Sequence, residues 1–193
     1  MARIMTVSGQ AAEGQQLQFI QKSKSQYGGV VPGIRQILLS DLELAGPASQ
    51  IYQHLNLGKD SSLTRLQREM LATVVNGLIG GAPWLGLHLE AVRRLTHDEH
   101  LGPEFATTWP EYDLDPKTRA LLGYAKKLTQ SPSSVDDTDI ETLRSAGWDE
   151  RGVYQATALI SFFKFSGRME AAAGLSMDRI PSDALFPEAI PDS

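Results

Sequence analysis

The longest uncharged run of this chain, Met70 to Leu89, is broken in its middle by Gly80-Gly81 and Pro83, and it carries Asn76 and His88. Its length raises the question of a membrane span, but a bilayer helix would have to bury those polar groups and repair the backbone around the break. Two buried helices joined by a tight turn accommodate the same residues without that cost. The first, over about residues 64 to 79, is apolar at 66, 70, 71, 74, 75 and 78, a helical period. Gly80-Gly81 suits a left-handed helix end and Pro83 the first turn of a successor over about 83 to 96. Glu69 and His88 then become ionisable groups at the edges of an apolar helical hairpin.

The remaining pattern is also helical. Residues 1–26 are polar and rich in Gln and Ser, and read as a loosely ordered arm. Helical periodicity begins near Ile34 and resumes from about Pro47. A polar connector runs from Thr96 to Asp115, and Asp115-Pro116 opens another helix. Ser134 or Asp136 can cap a short helix over 136–146 that Gly147 closes. Asp149 caps a long apolar helix over about 150–165, with a short separate helix around Arg168 to Ala173. Residues 179–193 form a Pro-rich, irregular tail. No segment alternates with period two, so the expected class is all-α, with about seven to nine helices.

Composition narrows the function. The chain has 193 residues, enough for one domain with a real core. A formal net charge of -5 without a basic block argues against a nucleic-acid partner. There is no cysteine, which removes disulfides, thiolate metal sites and cysteine nucleophiles from the available chemistry. The first residues hold no apolar core of signal-peptide length, so the cytoplasm is the expected compartment, with no membrane association.

Glu69, Gly81, Trp84 and His88 stand in the spacing Glu-x11-Gly-x2-Trp-x3-His. This resembles the Glu-x11-Cys-x2-Cys-x3-His signature of the alkylhydroperoxidase D and carboxymuconolactone decarboxylase family, with Gly81 and Trp84 where the two cysteines would be. REMLATVVNGL is similar to the start of that family's motif helix. The stretches GGVVPGIRQILLSDLELAGPASQIYQHL and LDPKTRALLGYAKKLTQ onward to FSGRM resemble its peroxidase-related branch. The resemblance covers about residues 27–178 and implies an alkylhydroperoxidase D-like helical domain that forms homo-oligomers. It also implies a thiol peroxidase in which a low-pKa cysteine attacks the peroxide, a second cysteine resolves the sulfenic acid, and the glutamate and histidine relay protons. With both sulfurs absent, that dithiol reaction is expected to be lost.

What remains is a candidate acid/base pair, Glu69 and His88, with Asn76, Gly81 and Trp84 as candidate pocket-lining residues and a small carbonyl or carboxylate compound as the implied ligand. Each has a plainer reading. Glu69 suits a solvated first-turn glutamate, His88 a hydrogen-bonded core histidine, and Trp84 a core residue plugging the space of the redox pair. Two function classes therefore stand open: an enzyme using this pair for proton transfer, and a non-catalytic binding or structural homologue. No metal or cofactor is expected, because His97 and His100 with Asp98 and Glu99 lie in a solvated connector. Arg168 reads as structural, and Phe162, Phe163 and Phe165 as core or subunit-interface residues.

Overall fold

The computed structural model describes residues 2–7 and 12–192. Among them nine α-helices follow in chain order: α1 (Gly14–Gln26), α2 (Gly33–Leu38), α3 (Leu42–Leu55), α4 (Arg65–Ile79), α5 (Ala82–Thr96), α6 (Phe105–Thr108), α7 (Pro116–Gln130), α8 (Asp137–Ser145) and α9 (Glu150–Ala173). Short 3-10 turns lie at Trp109–Glu111, Pro132–Ser134 and Pro187–Ala189, and no strand is present among the described residues. The fold is all-α.

Helix α4 is the centre. Thr64 caps it by accepting from the Gln67 N–H, while the Gln67 side chain returns to the Thr64 N–H, a reciprocal box that closes two of the first-turn donors. Every residue from Arg68 to Asn76 is buried, because α5, α6, α7 and α9 surround the helix. Gly80 ends it at φ 76°, a left-handed conformation that glycine adopts without steric penalty, and α5 turns back antiparallel. No helix among the described residues is long and apolar enough to cross a membrane.

Four segments differ from the sequence expectations. Residues 14–26, expected as loose arm, form α1, a polar helix anchored by the buried Ile20 and Ser23 and by Gln16 Nε2 donating to the Leu39 carbonyl at 2.8 Å; residues 8–11 of that arm lie outside the described residues. Asp41 caps α3 and carries it through Pro47, so the helix starts a turn earlier than that proline suggests. The polar connector contains α6, whose Phe105 and Ala106 are buried against α4. Helix α9 runs unbroken through Ser166-Gly167-Arg168, because Gly167 is a point of close approach to α4: a Cβ there would lie 2.5 Å from Asn76 Oδ1. Arg168 itself is exposed on α9. The tail is irregular as expected, yet Phe186 and Glu188 are fully buried.

Candidate functional site

The antiparallel turn at Gly80-Gly81 sets Glu69 of α4 opposite His88 of α5. His88 Nδ1 is in direct contact with Glu69 Oε2. The other carboxylate oxygen, Oε1, accepts from Asn56 Nδ2 at 2.9 Å and meets Arg65 Nε at 3.1 Å. Arg65 is held in turn by the backbone carbonyls of Asn56, Pro187 and Glu188. A carboxylate supplied by a guanidinium and an amide remains an acceptor, so His88 Nδ1 is the donor of the pair and Nε2 is the ring nitrogen left free of it. That Nε2 is buried and has no protein partner.

Aromatic rings enclose the imidazole. Trp84 stacks on it with ring centroids 4.7 Å apart and Phe163 meets it edge-on at 4.9 Å. Tyr52 lies 4.9 Å from Trp84 and 6.1 Å from Phe162. Both Glu69 and His88 are 0% exposed, enclosed by these side chains.

The shell continues into the C-terminal tail. Glu188 Oε1 accepts from the Tyr27 hydroxyl at 2.7 Å and the Tyr52 hydroxyl at 2.6 Å, and Asn56 Nδ2 lies 3.2 Å from the Tyr52 oxygen. Burial, and after it the Glu188 carboxylate, pushes both phenols well above their ordinary range, which keeps them donors. Asp192 fastens the same tail to the start of α4, accepting from the Arg65 N–H at 2.6 Å and pairing with Arg68 at 2.8 Å.

Gly81 and Asn76 occupy a different corner, the junction of α4, α5 and α9. Asn76 Nδ2 donates to the Ala72 carbonyl at 2.8 Å, and its Oδ1 is wedged between two glycines. A Cβ on Gly81 would lie 2.6 Å from that oxygen, 3.0 Å from the Gly167 Cα and 3.2 Å from Glu170 Oε2. Glu170 thus places a carboxyl beside Gly81. It accepts the Trp84 N–H of the first turn of α5 at 3.1 Å, and burial pushes it well above the usual carboxylate range.

Of the five residues singled out from sequence, Glu69, Trp84 and His88 meet in one shell, while Asn76 and Gly81 adjoin each other at the neighbouring helix junction. Sequence reasoning missed Glu188, Tyr27, Tyr52, Asn56, Arg65 and Glu170. Arg65 sits four residues before Glu69, a spacing that pairs opposite charges on one helix face, and so carried a legible signal. Glu188 stands in a Pro-rich stretch without periodicity and had none.

No family model matches the sequence, and comparison with curated proteins gives no significant match. Solved structures do match. An uncharacterized peroxidase-related protein from Silicibacter sp. TM1040 superposes with a TM-score of 0.76 at 25% identity, covering 89% of this chain and 87% of its own. An alkylhydroperoxidase AhpD core protein, also an uncharacterized peroxidase-related protein, from Ralstonia eutropha JMP134 gives 0.78 at 22% identity, over 98% and 97% of the two chains. The chain has the alkylhydroperoxidase D core fold. The debrominase Bmp8 is similar too, at a TM-score of 0.70 and 18% identity over 95% of this chain and 96% of its own. Within this alkylhydroperoxidase D-like fold the cysteine positions of the signature are Gly81 at the cap of α5 and Trp84 in its first turn.

Proposed function

We propose that this protein is an alkylhydroperoxidase D-like, peroxidase-related homologue that has no dithiol peroxidase activity and uses His88 Nε2 for proton transfer to and from a small carbonyl or carboxylate substrate. The single observation that carries the reading is the asymmetry of the imidazole. Its Nδ1 is anchored on Glu69 and its Nε2 is unpartnered. That is the arrangement by which a carboxylate fixes the tautomer of a histidine and stabilises the imidazolium that forms when Nε2 takes a proton. In a step of this kind a C–H bond beside the substrate carbonyl breaks, its electron pair moves into an enolate, and the proton goes to Nε2 and is later returned. Glu69 is the positioning residue and does not itself exchange the proton. Sulfur chemistry is left out because the sequence contains no cysteine to form the sulfenic acid.

Full burial of both groups favours a second reading, in which the pair is a satisfied core contact and the protein binds or assembles without catalysis. The two are separated by turnover of a panel of small lactones, keto acids and β-dicarbonyl compounds. If His88→Ala abolishes an activity and Glu69→Gln lowers it by orders of magnitude while both variants keep the helical fold, the catalytic reading holds. If the panel gives no turnover and the variants only melt earlier, the pair is structural. Protein-dependent peroxide consumption with a dithiol donor would contradict the first clause of the proposal. Self-association belongs to the same reading: Tyr154 and Phe165 are exposed on α9 three turns apart on one face, and sedimentation of Tyr154→Arg against the unaltered protein tests it.

A further inference from the structure

A cavity of about 550 Å³ opens where the first turns of α4 and α7 meet the last turn of α5 and the α6 segment. Neither Glu69 nor His88 lines it. Met70, Val92, Leu101 and Phe105 form the inner wall, and all four are otherwise at most 6% exposed. The volume is in the range of small-molecule sites, and so is the composition, an apolar wall with a few polar groups at the mouth.

The mouth is one-sided in charge. Asp98, Asp113 and Asp115 stand around it. The cations near this end of the molecule are engaged elsewhere: Arg93 donates to the Leu101 carbonyl at 2.7 Å and lies 3.6 Å from Glu90, while Arg119 donates to the carbonyls of Pro110 and Tyr112, both at 2.7 Å. Among the described residues none of the three aspartates lies in an ion pair. Two helix N-termini point toward the cavity, and their positive ends would ordinarily favour an anion. Both are already closed, α4 by the Thr64–Gln67 box and α7 by Asp115, which accepts the Thr118 N–H at 3.0 Å. The Thr118 side chain, and after it that N–H, hold the Asp115 carboxyl below its usual range. The α5 end contributes the negative pole of its helix.

We infer that this cavity binds a small organic cation with an apolar body, an arylalkyl- or alkylammonium ion whose hydrocarbon part lies on Met70 and Phe105 and whose ammonium faces Asp98 and Asp113. An anion of the same shape would meet three carboxylates, and a neutral analogue would gain only the wall. Two partly solvated carboxylates distinguish cation from neutral by roughly ten-fold in affinity, and screening at molar salt removes most of that margin. The inference does not depend on the Glu69–His88 reading, since that pair is outside the cavity.

The test uses the full chain labelled with methyl-13C methionine, with the Met70 signal assigned by Met70→Leu and the other methionines as internal controls. Titration with 2-phenylethylammonium is expected to shift the Met70 methyl saturably, with 2-phenylethanol roughly ten-fold weaker and 3-phenylpropionate weaker again. The double variant Asp98→Asn, Asp113→Asn keeps the acceptor that the His100 N–H uses. It is expected to bring the amine to the level of the alcohol without moving the alcohol. Glu69→Gln is expected to bind the amine as the unaltered protein does, so a failure of the catalytic reading leaves this result standing. The inference is overturned if no probe shifts Met70, if the three probes bind alike, if the double variant leaves the amine unchanged, or if Met70 shifts with protein concentration alone because a second copy covers the cavity.

Discussion

Replacing Gly81 with alanine tests how tightly the helix junction is packed at the position that matches the first cysteine of the signature this chain resembles. The added methyl would lie 2.6 Å from Asn76 Oδ1 and 3.0 Å from the Gly167 Cα. Asn76 has little freedom to move aside, because its Nδ2 is tied to the Ala72 carbonyl and its Oδ1 already fills the space over Gly167. Overpacking of this kind costs about 1–3 kcal/mol, and breaking the Ala72 bond to relieve it adds about 1 kcal/mol. The expected loss is therefore about 2–4 kcal/mol. At roughly 2–4 °C per kcal/mol for a chain of this size, that is a fall of roughly 5–15 °C in Tm. Urea and thermal denaturation measure it, and a cycle with Asn76→Ala locates it: with the amide gone, Gly81→Ala should cost far less. Equal cost in both backgrounds, or no cost in either, refutes the reasoning. The same clash bears on function. Introducing both sulfurs with Gly81→Cys and Trp84→Cys is expected to leave dithiol-dependent peroxide consumption at background, since the first thiol has no room beside Asn76 and Glu170.

Two further outcomes concern buried acids. Burial pushes Asp178 up to about 6 from 3.8, with the Gly33 N–H, 2.9 Å from its Oδ2, only partly opposing. The native state then holds a proton that the unfolded chain has lost, so stability falls as pH rises from about 4 through about 6. Asp178→Asn keeps the acceptor, and in urea denaturation should match the unaltered protein at pH 4 and exceed it by about 3 kcal/mol at pH 8; a gap that does not change with pH counts against this. Glu188→Ala strips the acceptor from the Tyr27 and Tyr52 hydroxyls and should cost about 2–4 kcal/mol. Glu188→Gln should retain most of that, and two variants of equal stability would show that the tail is not held through this carboxylate.

Local signals made the centre of this fold readable. The Gly80-Gly81-Pro83 break, the apolar period on each side of it, and the caps at Asp115, Asp136 and Asp149 are each short-range features, and each corresponds to an observed helix end. The Glu-x11-Gly-x2-Trp-x3-His spacing likewise put Glu69 and His88 on facing helices, because a hairpin fixes which residues oppose one another. What escaped was non-local. Gly167 reads as a helix break, yet it is accommodated inside α9 because Asn76, 91 positions earlier, needs the space of its Cβ. Residues 14–26 have too few apolar side chains to announce a helix, and α1 is held by contacts with α2 and the Leu39 carbonyl. Glu188 gains its role only when the tail folds back 161 positions to Tyr27. Periodicity cannot report a contact of that kind.

The first turn of α5 is where this chain departs from the dithiol signature it resembles. In the related dithiol signature a thiolate at this helix end is stabilised by the positive pole, worth about 0.3–1 kcal/mol and up to about 2 kcal/mol when partly buried. Glu170 accepts the Trp84 N–H there, but its charge would have to be carried in a buried junction with a single donor, where desolvation costs several kcal/mol. Desolvation outweighs the dipole, so the Glu170 carboxyl is pushed well above the usual carboxylate range, whereas Glu69 is met by Arg65, Asn56 and His88. Glu170→Gln copies the neutral form and keeps an oxygen for the Trp84 N–H. It should therefore leave stability unchanged below pH 4, where the unfolded chain is also protonated, and raise it increasingly as pH climbs through the folded-state value. A variant less stable than the parent at pH 8 would mean that Glu170 carries its charge in the native protein, and the helix end would then be a site for an anion after all.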